Sequence, residues 1–202
     1  SGAMTFNDAD KITDKLLGCD RFLILRPSAS ISNLNNFPEE KELDLTPAQE
    51  AIIETAKAFM LRGGRLQYDD LVLFTYNDYR WSKGKRKPED YTTTEWGYTN
   101  FALFTYESYY HALDYDIVYW NTGALNSGTK FHVYSHENTY NPDATDSTGV
   151  KPSKEVQDKV KKEVYEKLQP GDIIVIRRFK QGSGHAMLYV GNGTIIHSSG
   201  SN

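Results

Sequence analysis

Hydrophobic positions spaced three and four apart mark the first confident element of the chain. Thr46-Pro47-Ala48-Gln49 places an N-cap hydroxyl, a proline at the first helical position and a glutamine three residues after the cap. The apolar positions that follow repeat with helical spacing: Ala48, Ile52, Ala56 and Phe59, with Ile53 and Met60 beside them. The pattern predicts a helix that begins at Pro47 and ends near Gly63, where glycine accepts a left-handed conformation.

Two further segments carry helical signals. Asn100 is a preferred N-cap residue, and residues 101–113 contain no glycine or proline, so a helix is predicted from Phe101 to Leu113. From Ser153 to Leu168 charged residues alternate with an apolar side, before Pro170-Gly171 ends the pattern. That apolar side consists of Val156, Val160, Val164 and Leu168.

The end of the chain changes to strand patterns. Residues 172–178, 185–190 and 194–198 form three apolar runs separated by turn residues. Residues 115–150 mix short β-like runs, at 117–120 and 130–134, with turn-rich segments. We therefore predict an α+β fold, with N-terminal helices packed on a C-terminal antiparallel sheet.

The domain organisation follows from these elements. Residues 1–45 are interpreted as an N-terminal arm that opens with a cloning remnant, Ser1-Gly2-Ala3-Met4, includes a possible short helix at 8–17, and carries the apolar run 22–25. Residues 46–202 are interpreted as a single domain with an insertion at about 115–167. The third strand lies close to Asn202, and an unpaired edge there would invite association, so we expect either that another part of the chain covers this edge or that the sequence is truncated after Asn202.

Composition and charge exclude several classes of partner. Lys and Arg number 23 against 27 Asp and Glu, a net charge of −4, so no overall positive field favours nucleic acid. The apolar runs are far shorter than the ~18 residues of a membrane span. Cys19 is the only cysteine, which excludes an internal disulfide and a multi-cysteine zinc site. A structural role for this thiol is favoured over a reactive one.

The two histidines of the strand region, His185 and His197, are the leading chemical candidates. If residues 191–193 form a three-residue loop, the residue numbers of each pair of opposite strand positions add up to 384. His197 then lies opposite Met187, on the same face as His185. A two-residue loop would place the rings on opposite faces. Gly193 suits the left-handed last position of a three-residue loop, so we predict that the rings are diagonal neighbours.

A histidine base oriented by a second polar group forms part of a nucleophilic triad. The segments Leu168-Gln-Pro-Gly-Asp-Ile-Ile-Val-Ile and Gly184-His-Ala-Met-Leu-Tyr-Val-Gly-Asn-Gly-Thr-Ile-Ile-His197 resemble the signature of the NlpC-type cell-wall cysteine peptidases, which are papain-like endopeptidases of peptidoglycan. The resemblance implies that His185 is the catalytic base and His197 the orienting residue. It also covers Gly64-Arg-Leu-Gln-Tyr68 and Tyr98 to Tyr106, which makes Tyr68, Tyr98 and Asn100 candidate binding residues.

The chain departs from this family pattern at the nucleophile. Phe101 follows Asn100 at the position where the family has its cysteine, and a benzyl group has neither a proton to lose nor a lone pair with which to attack. Nearby hydroxyls, those of Tyr98, Thr99 and Ser108, do not occupy that first-turn position. The resemblance therefore predicts a pseudoenzyme of bacterial cell walls, extracellular or wall-associated, that binds a peptidoglycan stem peptide or a protein partner.

Two alternatives stay open. The chain is an active hydrolase of muropeptide amide bonds if the natural protein has cysteine at 101 or another residue attacks, and it is a structural interaction domain if the histidines only pack. No cofactor is predicted. His132 and His136 would suit a metal on a helix, but Phe131, Val133 and Tyr134 favour a strand or loop, so no metal site is predicted. Arg177, Arg178 and Lys180 are interpreted as a solvated rim, or as contacts to an acidic peptide within a cleft.

Overall fold

The structure is a computed structural model that describes twelve segments of the chain. These segments are residues 2–5, 16, 19–27, 45–61, 66–68, 97–99, 101–117, 121–127, 132–137, 153–178, 182–191 and 193–197. Within them, no helix is long and apolar enough to cross a membrane.

Four helices are present in the described segments. They are α1 (Pro47–Leu61), α2 (Phe101–Leu113), α3 (Thr122–Ser127) and α4 (Lys154–Lys167). The predicted capping box of α1 is confirmed: the Gln49 N–H donates to Thr46 Oγ1 at 3.2 Å, and the Thr46 N–H donates to Gln49 Oε1 at 2.9 Å. In α4, Ser153 is the N-cap and its side chain accepts from the Val156 N–H. Val156 itself is 44% exposed, so the predicted apolar side of this helix is shorter than expected.

Six strands form one antiparallel sheet, and two more form a small parallel pair. The sheet strands are β1 (Gly2–Thr5), β2 (Arg21–Leu25), β5 (His132–Glu137), β6 (Ile173–Arg178), β7 (Ser183–Gly191) and β8 (Thr194–His197), in the order β1-β8-β7-β6-β2-β5. The pair consists of β3 (Leu66–Tyr68) and β4 (Gly97–Thr99). Helices and an antiparallel sheet together confirm the α+β class.

Each face of the sheet is covered by different helices. On one face, which we call the α2 face, α1, α2 and α3 bury Leu23, Val175, Ala186, Leu188 and Ile196 among other sheet residues. On the other, the α4 face, Val160 and Val164 of α4 pack against sheet residues that include Ile24, Ile174, Ile176, Met187 and Ile195. Because successive side chains along β6, β7 and β8 point to opposite faces of the sheet, they pack alternately in two separate cores.

The N-terminal segment contributes more to the sheet than the sequence interpretation allowed. Residues 21–25, interpreted as part of an irregular arm, form β2 between β6 and β5, with four of its five side chains buried. Residues 2–5, within or next to the segment interpreted as a cloning remnant, form β1 and pair with β8. The outer edge of β8 is thus covered by the chain itself. Residues 22–25 lack the alternation of apolar and polar residues that marks a strand with one exposed face, because this strand is buried on both faces.

A buried ion pair joins β2 to the connection between α4 and β6. Arg26 donates from Nε and Nη2 to the two carboxylate oxygens of Asp172, both at 2.8 Å, and Nη2 also donates to the Lys167 carbonyl. The Gln169 N–H donates to Asp172 at 2.9 Å. Burial raises the pKa of the Asp172 carboxyl to about 6, and the bonds from Arg26 and Gln169 act in the opposite direction.

The approach of α3 to the sheet requires a glycine at position 184. A Cβ there would lie 2.5 Å from the Ile176 carbonyl oxygen and 2.6 Å from Thr122 Oγ1. Since one of these contacts is to backbone, rotation of a side chain cannot relieve both. Gly184 therefore sets how closely α3 packs against β6 and β7, directly before His185.

We expect Arg26→Gln to destabilise the fold by about 3 to 5 kcal/mol at pH 8, because it leaves a buried carboxylate without its counter-charge. The folded-state pKa of Asp172 then moves further above its unfolded value. The folded state binds the proton more readily than the unfolded state, so the loss is largest above the folded-state pKa and shrinks as the pH falls. Urea unfolding at several pH values measures this, and the double variant Arg26→Gln/Asp172→Asn should lose the pH dependence. A loss that is equal at all pH values would contradict the ion-pair explanation.

We expect Gly184→Ala to cost about 1 to 3 kcal/mol of unfolding free energy, because the new methyl group overpacks the junction of α3 with the sheet. Gly123→Ala is the matched control: it adds the same group in α3, where the neighbouring atoms belong to side chains, the nearer being Asn121 Oδ1 at 3.3 Å. Urea unfolding of both variants measures the difference. Equal stability of the two would show that the close approach at Gly184 is not a constraint.

Candidate functional site

The two predicted histidines meet at the centre of the candidate site. His185 Nε2 lies 2.8 Å from His197 Nδ1, with the ring planes at 85° to one another. His197 is buried and His185 is half-buried. One of the two nitrogens must carry the shared proton. When His185 Nε2–H donates to His197, the neutral His185 ring has its lone pair on Nδ1, which is the tautomer that a general base requires.

The strand register that brings these rings together was predicted, but the turn that produces it differs. Leu188 pairs with Ile196 and Tyr189 with Ile195. The residue numbers of each pair add up to 384, which confirms the predicted register and the placement of His185 and His197 on one face. The predicted three-residue loop is wrong, because Gly191 pairs with Thr194. A bulge between Tyr189 and Gly191 restores the register. Gly191 and Gly193 have φ angles of 96° and 68°, which glycine adopts without strain.

The histidine pair lies on the α4 face of the sheet. His185 has the same strand parity as Met187, and His197 the same as Ile195, both of which pack in the core beneath α4. In contrast, Phe104 and Tyr109 of α2 pack with Ala186 and Leu188 on the opposite face. A residue of α2 therefore approaches His185 only around the end of β7, not through the sheet.

The structure places the backbone of the proposed nucleophile position as expected. Phe101 is the first residue of α2, and β4 ends two residues before it. Tyr68 pairs with Thr99 and Gln67 with Tyr98, so the predicted tyrosine loop runs beside the start of α2. Asn100 and the side chains of Phe101, Tyr68 and Tyr98 lie outside the described residues. The contact between the Phe101 ring and His185 stays a prediction.

Cys19 occupies a structural position away from the histidines. It is fully buried, with Sγ 3.1 Å from the Leu16 carbonyl and 3.2 Å from that of Arg21. Phe22 is two strands from His185, through their shared partner Ile176. With strands about 4.8 Å apart and residues about 3.3 Å apart, Cys19 is roughly 14 Å from His185 along the sheet.

The other predicted candidates belong to the same sheet. His132 and His136 lie in β5, and the His136 ring packs 5.4 Å from that of Phe22. Within the described segments, no three His, Cys, Asp or Glu side chains are grouped as a metal would require. Arg177 and Arg178 end β6 and are half-buried, not a fully solvated rim. Lys180 lies outside the described residues.

A pair of arginines at this end of the sheet has no signal in the local sequence. Arg21 and Arg177 are directly opposite one another in β2 and β6, and we call them the arginine pair. Arg177 Nη1 donates to Thr122 Oγ1 at 2.6 Å, and Arg21 Nη1 donates to Asn126 Oδ1 at 3.3 Å, so both reach α3. Burial lowers the pKa of Arg177. The two arginines meet only because β2 pairs with β6, and the local sequence of residues 21–25 does not indicate this pairing.

Comparison with known proteins supports the resemblance drawn from the histidine segments. Residues 116–202 match the model of the NlpC/P60 family, a region somewhat shorter than half of the chain. No curated protein and no solved structure matches the chain. The matched region contains His185 and His197 but begins after α2, so it does not include Phe101. The C-terminal region of this chain, residues 116–202, is therefore similar to the NlpC/P60 family.

Proposed function

We propose that this protein is a catalytically impaired NlpC/P60 peptidase homologue that binds a cell-wall peptide or a protein partner. The match of residues 116–202 to the NlpC/P60 family suggests a peptidoglycan-peptidase-like function. The observation that carries the proposal is the hydrogen bond of 2.8 Å between His185 Nε2 and His197 Nδ1 within the region that matches the family. In this proposal His185 is the base position and His197 holds its ring.

The chemistry of a histidine base explains why this arrangement is informative. When His197 Nδ1 accepts a hydrogen bond from His185 Nε2, it fixes the ring orientation, and His185 Nδ1 is then the nitrogen that exchanges a proton with a nucleophile. The same contact stabilises the imidazolium that forms after proton transfer. Packing alone does not require two ring nitrogens at hydrogen-bond distance.

The nucleophile position explains the impairment in this proposal. Phe101 begins a helix where a thiol would be activated by the helix N-terminus and a neighbouring imidazole, and phenylalanine offers no atom for either to activate. The chain has one thiol, Cys19, which is buried and about two strands from His185. Loss of a nucleophile leaves only the rate enhancement that binding and oxyanion stabilisation give.

The second candidate function is active hydrolysis of muropeptide amide bonds. The hydrogen bond between the two histidines supports this alternative as well, because it would orient His185 as a general base. In this case a nucleophile other than Phe101, or the cysteine of a natural sequence at that position, attacks the amide carbon.

We expect the purified chain to release no product from muropeptides above a buffer control, as measured by mass spectrometry. In a Cys19→Ala background, Phe101→Cys should introduce a thiol whose iodoacetamide reactivity near pH 7 is roughly tenfold above that of an ordinary thiol, because the helix N-terminus and His185 favour the thiolate. Adding His185→Ala should remove most of that increase.

The control for this experiment is the unmodified chain after iodoacetamide treatment, in which the buried Cys19 should react slowly. Muropeptide cleavage by the unmodified chain that disappears in His185→Ala would overturn impairment and establish the active alternative. A Phe101→Cys thiol whose reactivity does not change on His185→Ala would show that position 101 is not next to the base.

Binding itself gives an independent prediction. Muropeptides should shift the imidazole NMR signals of His185 and His197 in a saturable manner, because in this proposal the peptide binds against this pair. His132 and His136, on β5 at the far edge of the sheet, serve as internal controls whose signals should not move. Unchanged signals of His185 and His197 at saturating muropeptide would exclude the surface beside these histidines as the binding site.

A further inference from the structure

The bulge near the end of β7 decides whether the two histidines meet. At the turn, Gly191 lies opposite Thr194, which is the pairing of a hairpin with a two-residue loop. If that register continued along the strands, His197 would lie opposite Leu188, on the face away from His185. The bulge shifts the register by one residue and turns His197 to the other face. A contact that selects the bulged hairpin therefore also selects the histidine pair.

Tyr189 is the last paired residue of β7 before the bulge, and its backbone is held on the side of β6. Its carbonyl accepts the Gly171 N–H at 2.7 Å, and its own N–H donates to the Asp172 carbonyl at 2.8 Å. Its side chain packs in the core of the α4 face and is 8% exposed. Both the backbone and the ring of Tyr189 are thus fixed before the turn begins.

The hydroxyl of Tyr189 contacts the turn itself. The Gly193 N–H donates to the hydroxyl oxygen at 3.1 Å, which joins the residue before the bulge to the last residue of the loop. In a hairpin without the bulge, Val190 would take the place of Tyr189 opposite Ile195, and valine has no side-chain acceptor for this N–H. The bond therefore stabilises the bulged hairpin and not its competitor.

We propose that Tyr189 is a positioning residue for the histidine pair: the hydrogen bond from Gly193 to its hydroxyl selects the bulged hairpin, in which His197 faces His185. The effect on register follows from the contacts of β7 and β8 alone. Its meaning for a catalytic base rests on the proposed function.

The first test is Tyr189→Phe, which keeps the ring and removes the acceptor. The proton shared by His185 and His197 should exchange with water about fivefold faster, the effect of losing one neutral hydrogen bond, as measured by NMR. Tyr134→Phe is the matched control: it removes a hydroxyl that donates to Glu163 at 2.8 Å on the same face of the sheet, and it should leave the rate unchanged. An unchanged rate in Tyr189→Phe, or equal acceleration in both variants, would overturn the proposal.

Deletion of Val190 separates positioning from general stability. The deletion removes the extra residue of the bulge, so the pairs Gly191 with Thr194 and Tyr189 with Ile195 become consecutive in a regular ladder. The histidines then share a face without help from the hydroxyl. Tyr189→Phe in this background should no longer accelerate proton exchange. Acceleration of the same size with and without Val190 would show that the hydroxyl only stabilises the hairpin, which contradicts a role in register.

The unmodified chain gives a measurement that does not depend on the folding of any variant. The Gly193 amide should exchange with deuterium roughly tenfold or more below the rate of an unprotected glycine amide, because the Tyr189 hydroxyl accepts its hydrogen bond. Exchange at the unprotected rate would overturn the proposal. These measurements use no muropeptide, so their failure is distinguishable from a failure of the chain to bind or cleave muropeptides.

Discussion

The carboxylate of Asp172 is the constraint on which the site geometry depends. It is fully buried, and it accepts hydrogen bonds from Arg26 at the end of β2 and from Gln169 after α4. These bonds fix where β6 begins. β6 in turn pairs with β7, and Ile176 of β6 lies opposite His185 of β7. Because side chains alternate along a strand, a slip of one residue at Asp172 would turn His185 to the opposite face.

The elements with local signals were predictable. The capping box at Thr46 and the N-cap at Ser153 are read from neighbouring residues, and both helices begin where those residues indicate. β2 gave no such signal. Its residues are buried on both faces, and its partners in β5 and β6 lie more than a hundred residues further along the chain. A pairing over that distance leaves no mark on the local sequence.

The site was partly predictable for the same reason. Parity along β7 and β8 is a local property, so the meeting of His185 with His197 followed from a short hairpin. The bulge near Val190 was missed because two turn geometries give one register at the histidines. The arginine pair was missed because it combines β2 with β6. Sequence periodicity also could not show that the histidines and the core side chains of α2 occupy opposite faces.

The position of β2 between β6 and β5 has a consequence for how the chain is made. This strand is synthesised early, but one of its two neighbours, β6, ends at Arg178. At about 5 to 20 residues per second, a ribosome adds the intervening residues in roughly 8 to 30 seconds. Throughout that time the apolar run from Phe22 to Leu25 has no completed sheet to enter, so it stays exposed unless a chaperone shields it.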